Sequence, residues 1–164
     1  MVQQSKSAAS MTPASGTAGR ILIIEARFYE DIADELASGA IAELEAHGVA
    51  YTRVAVPGAL EIPQALAAAA PLFDDEVYGG AIALGCVIRG ETTHYETVCH
   101  NANHWLMDVA INSMIPVGNA ILTVETREQA LERARGGRDG KGGDAARACL
   151  ALIALQHDFA GQQT

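Results

Sequence analysis

The sequence predicts an α/β fold: a parallel sheet covered on both faces by helices. Three observations carry this. Short apolar runs suited to buried strands alternate with stretches of 3.6-residue apolar periodicity. Glycine, proline and polar residues mark the switch from one to the other. Nothing repeats at a 20–50-residue period, so the alternation describes one layered domain, not an array. Strand–helix–strand units of this kind place strands side by side in the same direction.

The elements follow in order. Residues 1–19 are rich in Ser, Ala, Thr, Gly and Gln and carry no periodicity. They are expected to form a mobile N-terminal arm, leaving 20–164 as a single domain. Ile21 to Glu25 form the first strand, followed by Arg27-Phe28-Tyr29 at its carboxyl end. Phe28 either packs under the next helix or stands open as a ring for a ligand. A helix spans about Glu30 to His47 and ends at Gly48, a C′ glycine. Residues 50–56 form the second strand. Pro57 to Pro63 make a turn and helix start, with Glu61 and Pro63 suited to the first turn. Glu61 is either a plain helix-start carboxylate or an acceptor for ligand hydroxyls. This helix is expected to stop at Pro71.

The central stretch is Gly79 to Glu96. Ala81 to Leu84 read as a buried strand, and the polar turn begins at Gly85. Thr93 with Glu96 has the form of a capping box, which starts a helix near His94. Apolar positions Val98, Ala102, Leu106 and Ala110 continue it until before Pro116. Residues 118–124 form a fourth strand. Thr126 with Gln129 is a second capping box, opening a helix over 127–135. Gly136 to Gly143 are expected to be a flexible loop, with Asp144 capping a last helix over 145–158.

Turns at the carboxyl ends of parallel strands are where open α/β sheets bind ligands. Three converge here: Arg27–Tyr29, Pro57–Glu61 and Cys86–His94. The last of these leads into a helix N-terminus, which favours an anion such as phosphate. A cation there is unfavourable, which favours neutral imidazole at His94, a form that can relay a proton. The plainer reading makes His94 a solvated residue beside a capped helix end. Six of the eleven basic residues (Arg127, Arg133, Arg135, Arg138, Lys141 and Arg147) fall within 21 positions. They could hold a phosphate, or could be a helix face neutralised by Glu128, Glu132, Asp139 and Asp144.

Composition excludes several classes. The net charge of −9 argues against nucleic acid and anionic membranes as partners. No apolar stretch reaches a membrane span, and the N-terminus has no signal-peptide pattern. Cys86, Cys99 and Cys149 are odd in number and widely spaced, which suits free thiols in a reducing cytoplasm. Neither G-x-G-x-x-G nor a P-loop is present, which counts against a nucleotide-binding domain. His100 and His104 sit four apart, a metal-pair spacing, but no third-ligand motif joins them or His94.

Pro-Gly-Ala-Leu-Glu-Ile-Pro (57–63), Gly-Cys-Val-Ile-Arg-Gly-Glu-Thr-Thr-His (85–94) and Thr-Val-Glu (123–125) resemble the lumazine synthase family. Gln129-Ala130, Arg133-Ala134 and Lys141-Gly142 continue the resemblance, which covers about residues 20–158. It implies a three-layer, flavodoxin-like fold with a four-stranded parallel sheet. It implies a transferase of riboflavin biosynthesis. Such an enzyme condenses 5-amino-6-(D-ribitylamino)uracil with 3,4-dihydroxy-2-butanone 4-phosphate, and releases phosphate and water. It implies no cofactor or metal, and a homo-oligomer, a pentamer or multiples of it, with sites between subunits.

By resemblance, Phe28 stacks on the pyrimidine, and Ala59, Leu60 and Glu61 line the ribityl pocket. Cys86, Val87 and Ile88 contact the uracil. Glu91 and Thr92 bind the phosphate, with Arg133 reaching it from a neighbouring subunit and Lys141 nearby. His94 transfers protons. Asn119 contacts the uracil. Lying at the start of a strand about 23 Å long, Asn119 is expected to serve a neighbour's site. Leu60 and Asn119 stand where many members carry aromatic residues. The rival reading is a non-catalytic flavin or lumazine carrier, against which both His94 and Arg133 argue.

Overall fold

The computed structural model describes residues 18–163, so the expected arm lies outside the described residues except for Ala18 and Gly19. Four strands form one parallel sheet in the order β2-β1-β3-β4. They are β1 (Arg20–Ala26), β2 (Tyr51–Val56), β3 (Tyr78–Ile88) and β4 (Val117–Val124). The helices are α1 (Glu30–Ala46), α2 (Glu61–Asp74), α3 (His94–Asn112), α4 (Arg127–Ala134) and α5 (Lys141–Gly161). A short 3-10 turn, Gly137–Asp139, joins the last two.

Alternation of side chains along the strands builds two cores. Ile21, Ile23, Ile82 and Leu84 pack with α1, α4 and α5 on one face. Leu22, Ile24, Ala81 and Ala83 pack with α2 and α3 on the other. The result is the three-layer, flavodoxin-like architecture that the alternating pattern and the resemblance imply. Successive helices change face between β1 and β3, so the sheet has a switch point there.

Several boundaries differ from the expectation. β3 does not end at Leu84: it runs on through Cys86, Val87 and Ile88, which pair with Leu122, Thr123 and Val124 of β4. α2 passes through Pro71 to Asp74. The carbonyl that Pro71 leaves without its helical partner belongs to Ala67, an exposed residue. Phe73, packed on Tyr78 with ring centroids 5.6 Å apart, holds the final turn in place. Gly48 closes α1 at φ 66°, as a C′ glycine should.

The largest correction concerns residues 136–144. α5 begins at Lys141, and Asp144 lies inside its first turn, bonded to Lys141 at 3.1 Å. Gly142 and Gly143 are helix residues of α5, while Gly136 and Gly140 stay in the connection on either side of the 3-10 turn. A Cβ on Gly142 would stand 1.9 Å from the Leu36 carbonyl oxygen of α1, so close helix contact requires glycine. Gly118 on β4 plays the same part, with Ala145 of α5 lying 1.8 Å from where its Cβ would be.

Two carboxylates are buried in this frame. Glu25 accepts from Arg53 at 2.7 and 2.9 Å and from Arg27 at 3.1 Å. Glu43 accepts from Arg138 at 2.7 Å and Arg147 at 3.1 Å, with His47 at 3.4 Å. Burial pushes the Glu43 carboxyl up; the Arg138 hydrogen bond and the charges of Arg147, Arg138 and His47 outweigh it and hold it below its ordinary value.

Candidate active site

A cleft of about 340 Å³ opens at the carboxyl edge of the sheet, at the switch point between β1 and β3. Each wall comes from one of the expected turns. The β1–α1 turn supplies Phe28 and Tyr29. The β2–α2 turn supplies Pro57, Gly58, Ala59, Leu60 and Glu61. The end of β3 supplies Cys86, Val87 and Ile88, and α3 supplies His94 and Val98.

Phe28 does not pack under α1. It is 71% exposed, while Tyr29 packs into the core and meets the Phe28 ring edge-on at 5.0 Å. The aromatic pair therefore splits its work: one ring anchors and the other is presented to the cleft. Glu61 opens α2, half-buried, in the positive first turn of the helix. Burial lifts the Cys86 thiol to about 11, so it stays protonated at neutral pH and is no nucleophile.

The start of α3 departs from the capping box. Thr93 occupies the N-cap but its side chain caps nothing. Glu96 turns instead to Arg89, in a short ion pair. Thr92 Oγ1 accepts weakly from the His94 amide at 3.3 Å. The first turn therefore keeps backbone N–H groups available to an anion, with exposed Glu91 and Thr92 in the loop before it. Thr126 does cap α4, accepting from the Gln129 amide at 3.2 Å, while Gln129 Oε1 reaches one residue past the N-cap to accept from the Glu125 amide at 2.9 Å.

Five predicted residues, Glu91, Thr92, Asn119, Arg133 and Lys141, stand away from the cleft walls or face elsewhere. Asn119 lies exposed on edge strand β4, in register with Ala83, donating to Asn103 Oδ1 at 2.8 Å and accepting from the Ile121 amide at 2.9 Å. It precedes the strand's last residue by about 16 Å of rise. Arg133 is exposed on α4 and Lys141 begins α5, and neither lines the cleft. Glu91, unlike Thr92 at the α3 start, has no hydrogen-bond partner among the described side-chain contacts, and it too lies off the lining.

The basic cluster resolves into ion pairs, mostly with partners from α1. Arg127 meets Asp31, Arg135 meets Glu35 at 3.8 Å, and Arg138 meets Glu43. Arg147 meets Glu43 and Asp144. Of the expected neutralising residues, Asp144 forms close ion pairs and Asp139 acts on Arg138 through its charge. Arg133 differs from these arginines: its guanidinium donates to the Gln129 carbonyl at 3.1 Å and meets no carboxylate among the described residues.

Tyr29, Pro57, Gly58 and Val98 complete the lining without having been singled out as site residues. For Val98 a signal existed, since it falls one helical turn after His94 on the same face. His94, His100 and His104 are not brought together: His100 and His104 stack on the outer face of α3, with parallel rings 5.8 Å apart. Among the described residues no three His, Cys, Asp or Glu side chains form a metal-holding group.

Fold and cleft define a three-layer α/β protein with a ligand site at its sheet switch point. Comparison with known proteins narrows this. Residues 18–157 match the family model of 6,7-dimethyl-8-ribityllumazine synthase. A protein named 6,7-dimethyl-8-ribityllumazine synthase from Azorhizobium caulinodans is 53% identical over 142 residues, covering 85% of this chain and 88% of that one. Its counterpart from Methylobacterium radiotolerans is 54% identical over 137 residues, 84% of this chain and 82% of that one. That from Afipia carboxidovorans is 50% identical over 146 residues, 88% and 90% of the two chains. The chain belongs to the 6,7-dimethyl-8-ribityllumazine synthase family. It is accordingly a transferase of riboflavin biosynthesis, acting at the penultimate step.

Proposed function

We propose that the switch-point cleft is where the two substrates, 5-amino-6-(D-ribitylamino)uracil and 3,4-dihydroxy-2-butanone 4-phosphate, are joined. The observation that carries this is the meeting of an exposed ring (Phe28), a helix-start carboxylate (Glu61) and an imidazole (His94) around one apolar cleft.

Phe28 stacks on the pyrimidine. Ala59 and Leu60 bound the ribityl chain, and Glu61 accepts its hydroxyls. The strand end Cys86–Ile88 meets the uracil through its backbone. Glu91 and Thr92 hold the phosphate against the uncapped start of α3. The uracil 5-amine adds to the butanone carbonyl; loss of water gives the imine, phosphate leaves, and ring closure expels the second water. Proton transfers accompany each step, and His94 is placed to make them. Arg133 neutralises the departing phosphate.

The sites lie between subunits of a homopentamer or its multiples. Asn119, Arg133 and Lys141 fall outside their own chain's cleft, which supports a neighbour's supplying them. Trp105, Ile111 and Met114 on and just beyond α3 are more than half exposed, an apolar surface suited to a subunit contact. The three unpaired cysteines favour a cytoplasmic setting. Among the described residues no helix is long and apolar enough to cross a membrane.

The test is the reaction in EDTA, followed by lumazine absorbance and phosphate release. Turnover is expected to survive chelation and to fall by roughly 10²–10⁴ in His94→Ala, the usual scale of acid–base catalysis. Absent turnover combined with tight lumazine binding would make the cleft a carrier site instead.

A further inference from the structure

Arg89 follows the last residue of β3, and its amide donates to the Val124 carbonyl at 2.9 Å, extending the β3–β4 ladder. Its side chain reaches three partners. One terminal nitrogen contacts Glu96 Oε1, and Nε lies 2.8 Å from Glu125 Oε2. The guanidinium carbon stands 4.2 Å from the centre of the Tyr95 ring. One residue thus ties together the end of β3, the first turn of α3 and the turn into α4.

Glu96 is the third residue of α3, the place from which a carboxylate caps the helix by turning back to the N-cap amide. A carboxylate there would both occupy a donor and oppose any incoming anion. Glu96 lies with Arg89 instead, with its own amide and not that of Thr93 as its backbone partner, and Glu125 is held by the same fork.

We propose that Arg89 is a positioning residue that keeps the start of α3 open to the phosphate-bearing substrate, by drawing Glu96 off the cap position and masking Glu96 and Glu125 together. The inference rests on the synthase reading above and adds to it a competing, internal anion. Without Arg89, Glu96 is released to cap its own helix and the site becomes self-occupied. Arg89 touches no substrate in this scheme; it acts through Glu96.

Kinetics on the full-length protein test it, using Arg89→Gln, Glu96→Gln and the double variant, with inorganic phosphate as a competitive probe. Arg89→Gln is expected to raise the KM for the butanone phosphate and the Ki for inorganic phosphate roughly tenfold, the scale of one charge-assisted contact. The KM for the pyrimidine should stay within about twofold of wild type. The double variant should regain most of the loss, because the competing carboxylate is gone. An unchanged phosphate KM in Arg89→Gln overturns the proposal. So does a rise in both KM values that Glu96→Gln fails to relieve, which marks a scaffold role. Amide exchange at Thr93 gives a reading independent of turnover: it should slow in Arg89→Gln and return in the double variant. Equal exchange in Arg89→Gln and wild type refutes the capping switch even if the wild type proves inactive, an outcome that separately refutes the synthase reading.

Discussion

Phe28→Ala separates recognition from stability. The ring is 71% exposed, and its described ring contact is the edge of Tyr29 at 5.0 Å and 72°. Fully burying a phenylalanine is worth about 1.5–3 kcal/mol, and less than a third of that applies here. The edge-to-face contact adds about 0.5–1.5 kcal/mol. The variant should therefore lose about 1–2 kcal/mol of stability, a Tm drop of a few degrees for a chain of this length. Binding should suffer more. Stacking a base on an aromatic ring is worth about 1–3 kcal/mol, which weakens pyrimidine or lumazine binding by roughly 5–150-fold. Lumazine fluorescence titration gives the Kd, and calorimetry gives the Tm. Phe28→Trp should restore binding. A Kd within about twofold of wild type in Phe28→Ala would refute the stacking role. A Tm drop far beyond a few degrees would show instead that the ring is structural.

Arg133→Ala should lower kcat/KM for the butanone phosphate by about 10–150-fold, the loss of one charged contact of about 1.5–3 kcal/mol, as read by phosphate release. Arg135→Ala is its control: Arg135 faces Glu35 at 3.8 Å in water, and its removal should leave turnover unchanged. Gly142→Ala places a Cβ 1.9 Å from a backbone oxygen that cannot move without displacing α1. Thermal unfolding should show a loss of about 1–3 kcal/mol despite alanine's better helix propensity. Glu43 titrates below its unfolded value, so its contribution is present above about pH 4.3 and is lost as pH falls through its folded value. Denaturant midpoints measured from pH 6 down to pH 3 should fall in wild type, and Glu43→Gln should show a shallower fall.

Much of the fold was legible because its signals are local. Ile21 to Ile24 mark a buried strand by their unbroken apolar run. Val98, Ala102, Leu106 and Ala110 mark one face of a helix by spacing alone, and all four are buried. Gly48 ends α1 because only that backbone conformation closes the helix. The cleft residues Phe28, Ala59 to Glu61, Cys86 to Ile88 and His94 were legible for the same reason. Each lies just after a strand or at its end, and parallel topology carries all such segments to one edge.

What the tertiary structure decided depends on residues far apart in the chain. Glycines 142 and 143 read as loop until the Leu36 and Arg138 carbonyls of other segments are seen pressing on them, where only glycine fits inside a helix. Glu96 matches a capping box by spacing, yet Arg89, which also holds Glu125, draws it into an ion pair instead. Six basic residues looked alike in sequence. Pairing with Asp31, Glu35 and Glu43 of α1, roughly 90–100 positions away, sets Arg133 apart from the other arginines. Local sequence determined where the strands other than β3 and the α-helices other than α5 begin, to within a residue or two, and which way the strand side chains alternate. Distance in space alone settled which charges cancel, which glycines touch, and which carboxylate leaves a helix end open.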